Sequence, residues 1–281
     1  MQFQNPSAEI YIPDHKSVPQ ALARITHLGI GAHQDDLEFM AFHGILACFS
    51  RDDHWFGGVT CTNGAGSSRA GAYAACSDNE LMAIRRREQN VAADIGGYGA
   101  MIQLDYPSTA ARHQRMDLVT DLKHILAATR PEVVYTHNPA DKHDTHVGVT
   151  IAALLAIREL PHNERPQQLI GCEVWRSLDW LLDSDKVIMN VNHDTNLATA
   201  LNAAFDSQIS GGKRYDLAIH GRRAANATFF DPYSADSVNQ VILGMDLTPL
   251  ILDDSLNIST YVRDLIEAFQ ADVRKKLIPH L

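Results

Sequence analysis

Along the first two thirds of the chain, short runs of apolar residues alternate with longer amphipathic stretches. This alternation is typical of βαβ units, in which helices connect the strands of a parallel sheet. We predict five such strands near Ile25–Ala32, Trp55–Thr62, Ala100–Leu104, Glu132–Thr136 and Leu169–Trp175. The helices between them are predicted at about Glu38–Ser50, Asn79–Gly96, Met116–Thr129 and His146–Glu159. The pattern therefore predicts an α/β fold built on a parallel sheet.

The pattern becomes mainly helical in the last third of the chain. One more apolar run, Lys186–Val191, is compatible with an edge strand, and the stretch Phe230–Leu256 is loop-like. Helices are predicted around Thr195–Ile209, Lys213–Thr228 and Ser259–Leu277. We interpret residues 1–281 as a single domain, with an α/β core at about 20–190 and a helical C-terminal part at about 191–281. A domain boundary near residue 190 is the alternative.

Composition and charge narrow the class of protein. The chain has 281 residues and a formal net charge of −10, which argues against nucleic acid or anionic lipid as its main partner. Its four cysteines show no C-x-x-C spacing, so a structural zinc site or a disulfide framework is not expected. No signal-peptide pattern opens the chain, and no apolar stretch is long enough to insert into a membrane. We therefore expect a cytoplasmic protein.

Polar clusters follow three of the predicted strands. They are the runs His33–Asp36, Thr62–Arg69 and His137–His146. In open α/β sheets, ligands bind beyond the carboxyl ends of the strands, near the point where the strand order reverses. Their common position therefore indicates a binding site.

Two of these clusters repeat a three-residue spacing of possible metal ligands. His33 and Asp36 can face one ion from a tight turn, while His143 and His146 share the same spacing at the start of a predicted helix. Two nitrogens and one oxygen, with a position left open for water, form the ligand set of a catalytic zinc. Asp35, the spare carboxylate, could then take the proton of that water. One histidine is left over to stabilise an oxyanion or to protonate a leaving amine.

Simpler interpretations of the same residues stay open. Asp35 or Asp36 could cap the helix predicted to begin near Glu38. The cluster Arg85–Glu88 favours an ion pair on the surface of its helix over a catalytic role. A dinucleotide-binding loop fails, because Gln34 stands where the third glycine of G-x-G-x-x-G is required.

The run Ala32–Glu38 resembles the A-H-P-D-D…E signature of the PIG-L/LmbE-like de-N-acetylase superfamily. The run Asp141–His146 is similar to part of that superfamily's second signature, and Ser207-Gln208 in the later helical region also looks similar. The resemblance implies a Rossmann-like three-layer sandwich with a mostly parallel sheet and a helical C-terminal appendage. Two positions depart from the signatures: Gln34 replaces a proline, and Thr145 stands where an aspartate is usual.

The resemblance also implies a role for each residue of the two signatures. The metal ligands would be His33, Asp36 and His146, with Asp35 as the general base and His143 stabilising the oxyanion. Asp141 and Asp144 are candidates for orienting the histidines from behind the metal. Asn63, Arg69 and Asp105, which follow other strands, are candidate substrate-binding residues.

We therefore predict a zinc-dependent amidohydrolase that removes the acetyl group from an N-acetylglucosamine-type conjugate. Fe²⁺ or another divalent ion would suit the same mixed ligands. One alternative is an amidase acting on another small-molecule amide, such as a thiol conjugate. Another, motivated by Thr145, is a catalytically silent metal- or sugar-binding module. The sequence leaves a homo-oligomeric assembly open.

Overall fold

An eight-stranded sheet runs through the protein, whose computed structural model describes residues 1–113 and 116–281. The strands are β1 Glu9–Tyr11, β2 His27–Gly31, β3 Phe56–Thr62, β4 Ala100–Tyr106, β5 Val133–His137, β6 Gln168–Cys172, β7 Lys186–Asn190 and β8 Val241–Asp246. The helices are α1 Val18–Ala23, α2 Asp36–Met40, α3 Phe42–Cys48, α4 Asp78–Gly96, α5 Ser108–Arg112, α6 Met116–Thr129, α7 Asp144–Arg158, α8 Thr195–Ala203, α9 Asp206–Ile209, α10 Tyr215–Thr228, α11 Thr248–Leu252 and α12 Ile258–Leu277.

The order of the strands in the sheet is β1-β4-β3-β2-β5-β6-β8-β7. The five central strands, β4-β3-β2-β5-β6, are mutually parallel, whereas β1, β8 and β7 pair antiparallel at the two sides. The chain moves from β2 outward through β3 and β4, then returns to the other side of β2 with β5. The strand order therefore reverses between β2 and β5, as in Rossmann-like folds.

Each face of the sheet carries its own apolar core. Along β4, Met101 belongs to one cluster of buried side chains and Ile102 to the other, because successive strand residues point to opposite faces. One cluster includes residues of α6 and α7, and the other includes residues of α2, α3 and α8. Helices on both faces of a mostly parallel sheet confirm the predicted three-layer α/β fold.

The ends of α4 show how local sequence sets the helix boundaries. Ser77 accepts a hydrogen bond from the backbone N–H of Glu80, and the Glu80 side chain accepts one from the Ser77 N–H, which forms a capping box. Gly97 ends the helix in the left-handed conformation at φ 61°, which glycine adopts without steric cost. This helix delivers Arg85 and Gln89 to the strand ends described below.

Several predicted elements need correction. The stretch Phe230–Leu256 is not a loop, since it contains β8, which lies inside the sheet between β6 and β7, and α11. The predicted helix Glu38–Ser50 is divided into α2 and α3 at Ala41, and Thr195–Ile209 into α8 and α9. The edge position of Lys186–Val191 is confirmed by β7. Because β8 joins the sheet, a boundary near residue 190 does not separate the sheet from the C-terminal part.

Across the residues that the structure describes, no helix combines the length and the apolar character needed to cross a bilayer. The cytoplasmic location and the homo-oligomeric state stay predictions.

Candidate active site

The two signature segments meet at the reversal point of the sheet. The first follows β2 and the second follows β5, and these two strands are neighbours. Hydrogen bonds join them: the Thr136 hydroxyl donates to the Ile30 carbonyl over 3.0 Å, and the Ala32 N–H donates to Nε2 of His137 over 2.9 Å. Residues more than a hundred positions apart in sequence are thereby brought into contact.

Three ligand-type atoms form a nearly equilateral triangle at this point. Oδ2 of Asp36 lies 3.2 Å from Nδ1 of His33 and 3.5 Å from Nε2 of His146. The two histidine nitrogens are 3.2 Å apart. A tetrahedral zinc with bonds of about 2.0–2.1 Å requires ligand atoms about 3.3–3.4 Å apart. The triangle therefore has the size of one face of a zinc coordination tetrahedron.

Two neighbouring histidines also lie within ligand distance. The group His33, His143 and His146 and the group Asp36, His137 and His146 each bring their ligand atoms within 4.8 Å of one another. His137 is the weaker candidate through Nε2, since the Ala32 N–H already occupies the lone pair of that nitrogen. Its ring stacks on His146 with centroids 3.8 Å apart, which fixes the orientation of the His146 imidazole.

The surroundings of Asp36 and His146 favour the protonation states that bind a metal cation. Burial alone would raise the pKa of Asp36, but His146 and His137 outweigh it and hold this pKa well below its usual value. Burial lowers the pKa of His146 to about 3, against the opposing effect of Asp36. Near neutral pH the pair is thus a carboxylate and a neutral imidazole, the forms that bind a metal.

Asp35 is not part of the triangle and pairs with a buried arginine. Its Oδ2 accepts a hydrogen bond from Nη2 of Arg85 over 3.3 Å, and its backbone N–H donates to Oε1 of Gln89 over 3.2 Å. The backbone of Asp35 is left-handed, with φ 96°, a strained conformation that surrounding contacts must hold. Burial raises the pKa of Asp35, while the Arg85 guanidinium opposes this rise.

The helix-cap interpretation is wrong for Asp35 and Asp36. The predicted ion pair on the surface of α4 is formed by Arg86, which pairs with Glu9 and Asp105, whereas Arg85 of the same cluster is buried. Asp35 precedes α2 without a side-chain cap hydrogen bond, and Asp36 accepts instead from the His33 N–H over 2.7 Å. Arg85 is only 2% exposed and also donates to the carbonyls of Gln34 and Gly64. A surface arginine would not need this set of buried acceptors.

The two aspartates of the second signature, Asp141 and Asp144, lie in different environments. Asp141 is buried, accepts from the backbone N–H of His143 over 3.1 Å, and has Oδ2 3.5 Å from Nδ1 of His146. Asp144 is exposed and faces the cavity described below. Within the described part of the chain, Nδ1 of His143 is buried without a hydrogen-bond partner. Thr145 thus supplies no acceptor to that nitrogen.

A cavity of about 570 Å³ opens onto His33, Asp35 and His143. Its walls come from the loop after β3, the middle of α4, both ends of α5, the start of α7 and the region around α9 and α10. Other lining residues are Gly64, Gly66, Ser67, Ser68, Arg85, Ser108, Arg112, Lys142, Asp144, Thr145, Trp175, Gln208, Lys213 and Tyr215. At Gly64, where φ is 70°, a Cβ would lie 2.5 Å from the Gln34 amide oxygen, so only glycine fits there.

Asn63, Arg69 and Asp105, the candidate substrate-binding residues, do not line this cavity. Arg69 donates to Asp78 and to the carbonyls of Ala65 and Cys76, which braces the loop after β3. Asp105 pairs with Arg86 over 2.8 Å. Their role in substrate binding stays a prediction.

Sequence reasoning named Arg85 only as part of a surface ion pair and missed Gln89 altogether. Arg85 and Gln89 lie four residues apart on α4, so they share one face of that helix. That spacing was a usable signal, since two long polar side chains on a buried face need polar partners.

The fold and the site define a Rossmann-like α/β protein with histidines and a carboxylate arranged to hold a divalent metal. The family model described as PIG-L, GlcNAc-PI de-N-acetylase, matches residues 28–157 of this chain. That span includes both signature segments.

Individual proteins of known sequence or structure are also similar to this chain. YaiS of Escherichia coli K12, described as an uncharacterized deacetylase, is 27% identical over 172 residues, which cover 59% of this chain and 82% of YaiS. The structure of N,N′-diacetylchitobiose deacetylase from Pyrococcus horikoshii superposes with a TM-score of 0.63 at 16% identity, over 86% of this chain and 90% of that chain.

The same fold also occurs in a protein with a different activity. GalB, the 4-carboxy-2-hydroxymuconate hydratase from Pseudomonas putida KT2440, superposes with a TM-score of 0.61 at 18% identity, over 79% of this chain and 96% of that chain. Function must therefore be argued from the residues of the site.

Proposed function

We propose that this protein is a zinc-dependent amidohydrolase that removes the acetyl group from an N-acetylglucosamine-type amino-sugar conjugate. The observation that carries the proposal is the triangle of His33, Asp36 and His146, with sides of 3.2–3.5 Å, beside Asp35 at the base of an open cavity. The family match over both signature segments supports the same reaction class.

His33, Asp36 and His146 would hold the metal. When bound, a divalent ion at this position would polarise the substrate carbonyl and lower the pKa of a water molecule to about 7. Fe²⁺ or another divalent ion would also fit this ligand set, because mixed nitrogen and oxygen ligands do not select zinc by affinity alone. Asp141 would orient His146 from behind, through the ring nitrogen that faces away from the triangle.

Asp35 would act as the general base. It lies next to the triangle and opens onto the cavity, so a water molecule between the two is within its reach. Burial raises the pKa of this carboxyl, which makes it a better proton acceptor once ionised. The contacts from Arg85 and Gln89 hold its strained backbone in one orientation.

His143 would donate a hydrogen bond to the oxyanion. Burial lowers the pKa of His143, so its ring is neutral near pH 7 and can donate through one nitrogen only. The charges of Asp36 and Asp141 oppose this lowering of the pKa without reversing it, and within the described residues no acceptor on Nδ1 stabilises the doubly protonated ring that an acid catalyst needs. We therefore assign His143 to oxyanion stabilisation, and assign delivery of the proton to the leaving amine to Asp35, which holds the proton taken from water.

The reaction balances with these residues. The oxygen of water attacks the acetyl carbon as Asp35 takes its proton, and the bond between carbon and nitrogen breaks as the nitrogen receives that proton. The products are acetate and a free amine. An amidase acting on a different amide would use the same steps, because the signatures describe the reacting centre and not the rest of the substrate.

The test is acetate release from a panel of N-acetylated amino sugars and other amides by zinc-loaded protein. We expect the amino sugars to be cleaved, and Asp35→Ala to lose about 10²–10⁴-fold in rate while still binding one zinc per chain. Asp53→Asn, an exposed substitution far from the cavity, is the control and should retain full activity. Normal turnover by Asp35→Ala would refute the base assignment. Stoichiometric zinc without hydrolysis of any substrate would favour a silent binding module.

A further inference from the structure

Gln34 is the one residue between His33 and Asp36 to which the proposed function gives no role. It stands where the first signature has a proline, next to Asp35, the proposed base. Gln34 is only 2% exposed, and a buried amide requires hydrogen-bond partners. The contacts of this amide therefore indicate what restrains the turn in place of a proline ring.

The Gln34 amide ties the turn to two neighbouring strands. Its Nε2 donates to the carbonyl of Thr62, at the end of β3, over 3.2 Å and to Oε1 of Gln103, on β4, over 3.3 Å. The backbone carbonyl of Gln34 accepts from Nη2 of Arg85, on α4, over 2.6 Å. A single residue of the turn is thus held by β3, β4 and α4.

The second amide, that of Gln103, fixes the direction of the first. Gln103 is 2% exposed, and its Nε2 donates to the Arg86 carbonyl over 3.0 Å and to Oδ1 of Asn90 over 2.9 Å, both on α4. Since α4 uses the NH₂ group of Gln103, the amide oxygen of Gln103 is the atom that faces Gln34. The NH₂ group of Gln34 must then face this oxygen, so only one orientation of the Gln34 amide satisfies both side chains.

The turn needs such an anchor because its backbone is strained at the next residue. Asp35 has φ 96°, a conformation that persists only where surrounding contacts hold it. A proline before Asp35 would restrain the turn through its ring, which fixes φ at about −65°. In the described part of the chain the Gln34 N–H donates to no protein acceptor, so a proline at this position would break no backbone hydrogen bond there.

Resting on the proposed function, we propose that Gln34 is a positioning residue for Asp35. Its hydrogen bonds to Thr62 and Gln103 hold the turn so that the Asp35 carboxylate points at the water whose proton it takes. Gln34 does not line the cavity, so it acts through Asp35 and not on the substrate. In this chain a pair of buried amides thus restrains the turn that a ring restrains in the signature.

The experiment compares Gln34→Met and Gln34→Pro with the wild type. Methionine is similar in length and has no N–H group; because Oε1 of Gln34 accepts no hydrogen bond within residues 1–113 and 116–281, this change removes only the two donated bonds. Acetate release at saturating zinc gives kcat and KM. Hydrogen–deuterium exchange of the metal-free protein, followed in the peptide that covers residues 33–36, reports on the turn without any turnover.

We expect Gln34→Met to lower kcat by about 10–100-fold with KM within about threefold, since a misplaced base slows the chemical step without weakening substrate binding. Exchange in the peptide 33–36 should become faster. Gln34→Pro should recover most of kcat and the slow exchange. Gln270→Met, the same change at an exposed position of α12, should leave kcat and exchange unchanged.

Gln103→Met tests the second amide from a position outside the turn. Alone it should lower kcat as Gln34→Met does, whereas in the Gln34→Pro protein it should have no further effect, because no Gln34 amide is left to orient. Wild-type kcat in Gln34→Met, or equal losses in Gln34→Met and Gln34→Pro, would overturn the inference while the proposed function stands. Faster exchange in Gln34→Met and its recovery in Gln34→Pro, with no acetate released by the wild type, would support the anchoring of the turn and contradict the proposed function.

Discussion

Substitution of Asp141 should weaken metal binding although Asp141 is not one of the proposed metal ligands. Its two carboxylate oxygens face two backbone N–H groups and one ring nitrogen: Oδ1 accepts from His143 N, while Oδ2 accepts from Trp175 N and lies 3.5 Å from Nδ1 of His146. An amide has a single acceptor oxygen. Whichever way the side chain of Asp141→Asn turns, its NH₂ group must therefore face at least one of these N–H groups.

This unpaired N–H group sets the expected loss of stability, and the lost carboxylate sets the expected loss of zinc affinity. A buried donor left without an acceptor costs about 1–3 kcal/mol, so the free energy of unfolding of the metal-free protein should fall by that amount. Loss of the carboxylate behind a metal-ligating histidine typically lowers metal affinity by about 10–100-fold. At about 1.4 kcal/mol for each factor of ten, this loss corresponds to roughly 1.4–2.8 kcal/mol of binding free energy.

Zinc titration of the apo protein by calorimetry measures the affinity, and urea unfolding measures the stability. Asp144→Asn is the matched control, since it makes the same chemical change three residues away at an exposed position. We expect Asp144→Asn to bind zinc within about threefold of the wild type, as for an exposed charge. Equal losses of affinity in the two variants would refute the assignment of Asp141, and unchanged affinity in Asp141→Asn would do so as well.

Three further predictions concern the frame of the site and the metal. Gly148→Ala should lower the free energy of unfolding by about 1–3 kcal/mol, because the new Cβ would lie 2.3 Å from the Ala111 carbonyl oxygen. Gly221→Ala on α10 has open space around the new Cβ and should raise the free energy of unfolding by about 0.5–1 kcal/mol. The urea midpoints of the two variants should therefore shift in opposite directions. Tyr98→Phe removes the hydroxyl that donates to buried Glu38 over 2.7 Å, so the free energy of unfolding should fall by about 1–3 kcal/mol, and an unchanged urea midpoint would contradict this role. Chelation should lower the melting temperature, and zinc at about a hundred times its Kd should restore about 2.7 kcal/mol of stability; a melting temperature insensitive to both would argue against a folded-state metal site.

The parallel centre of the fold was predictable because each of its strands is a short apolar run between amphipathic helices. β8 was not, for a physical reason. Val241–Asp246 is six residues long, follows a polar stretch, and obtains its hydrogen bonds from β6 and β7, which lie far earlier in the chain. A short apolar run without a local partner cannot be assigned to a strand by its pattern alone. The break at Ala41 was likewise invisible, since apolar residues continue across it.

Part of the site could be predicted from the two signature segments. The convergence of His33, Asp36 and His146 was expected from the positions of their segments at strand ends, and the structure brings the three together within 3.5 Å. The environment of Asp35 was not foreseeable, because Arg85 reaches it from a helix fifty residues away. Arg112, Lys142 and Lys213, which line the cavity, likewise come from three separate segments, and only the tertiary structure brings them together.

The most direct test of the account is the position of the metal in crystals of the zinc-loaded protein, located by anomalous diffraction at the zinc edge. We predict one strong peak within about 2.0–2.2 Å of Nδ1 of His33, a carboxylate oxygen of Asp36 and Nε2 of His146, with Asp35 facing the open side. A peak held instead by Asp36, His137 and His146, or by the three histidines without Asp36, would contradict the proposed ligand set. The absence of any peak between the two signature segments would contradict the central claim itself.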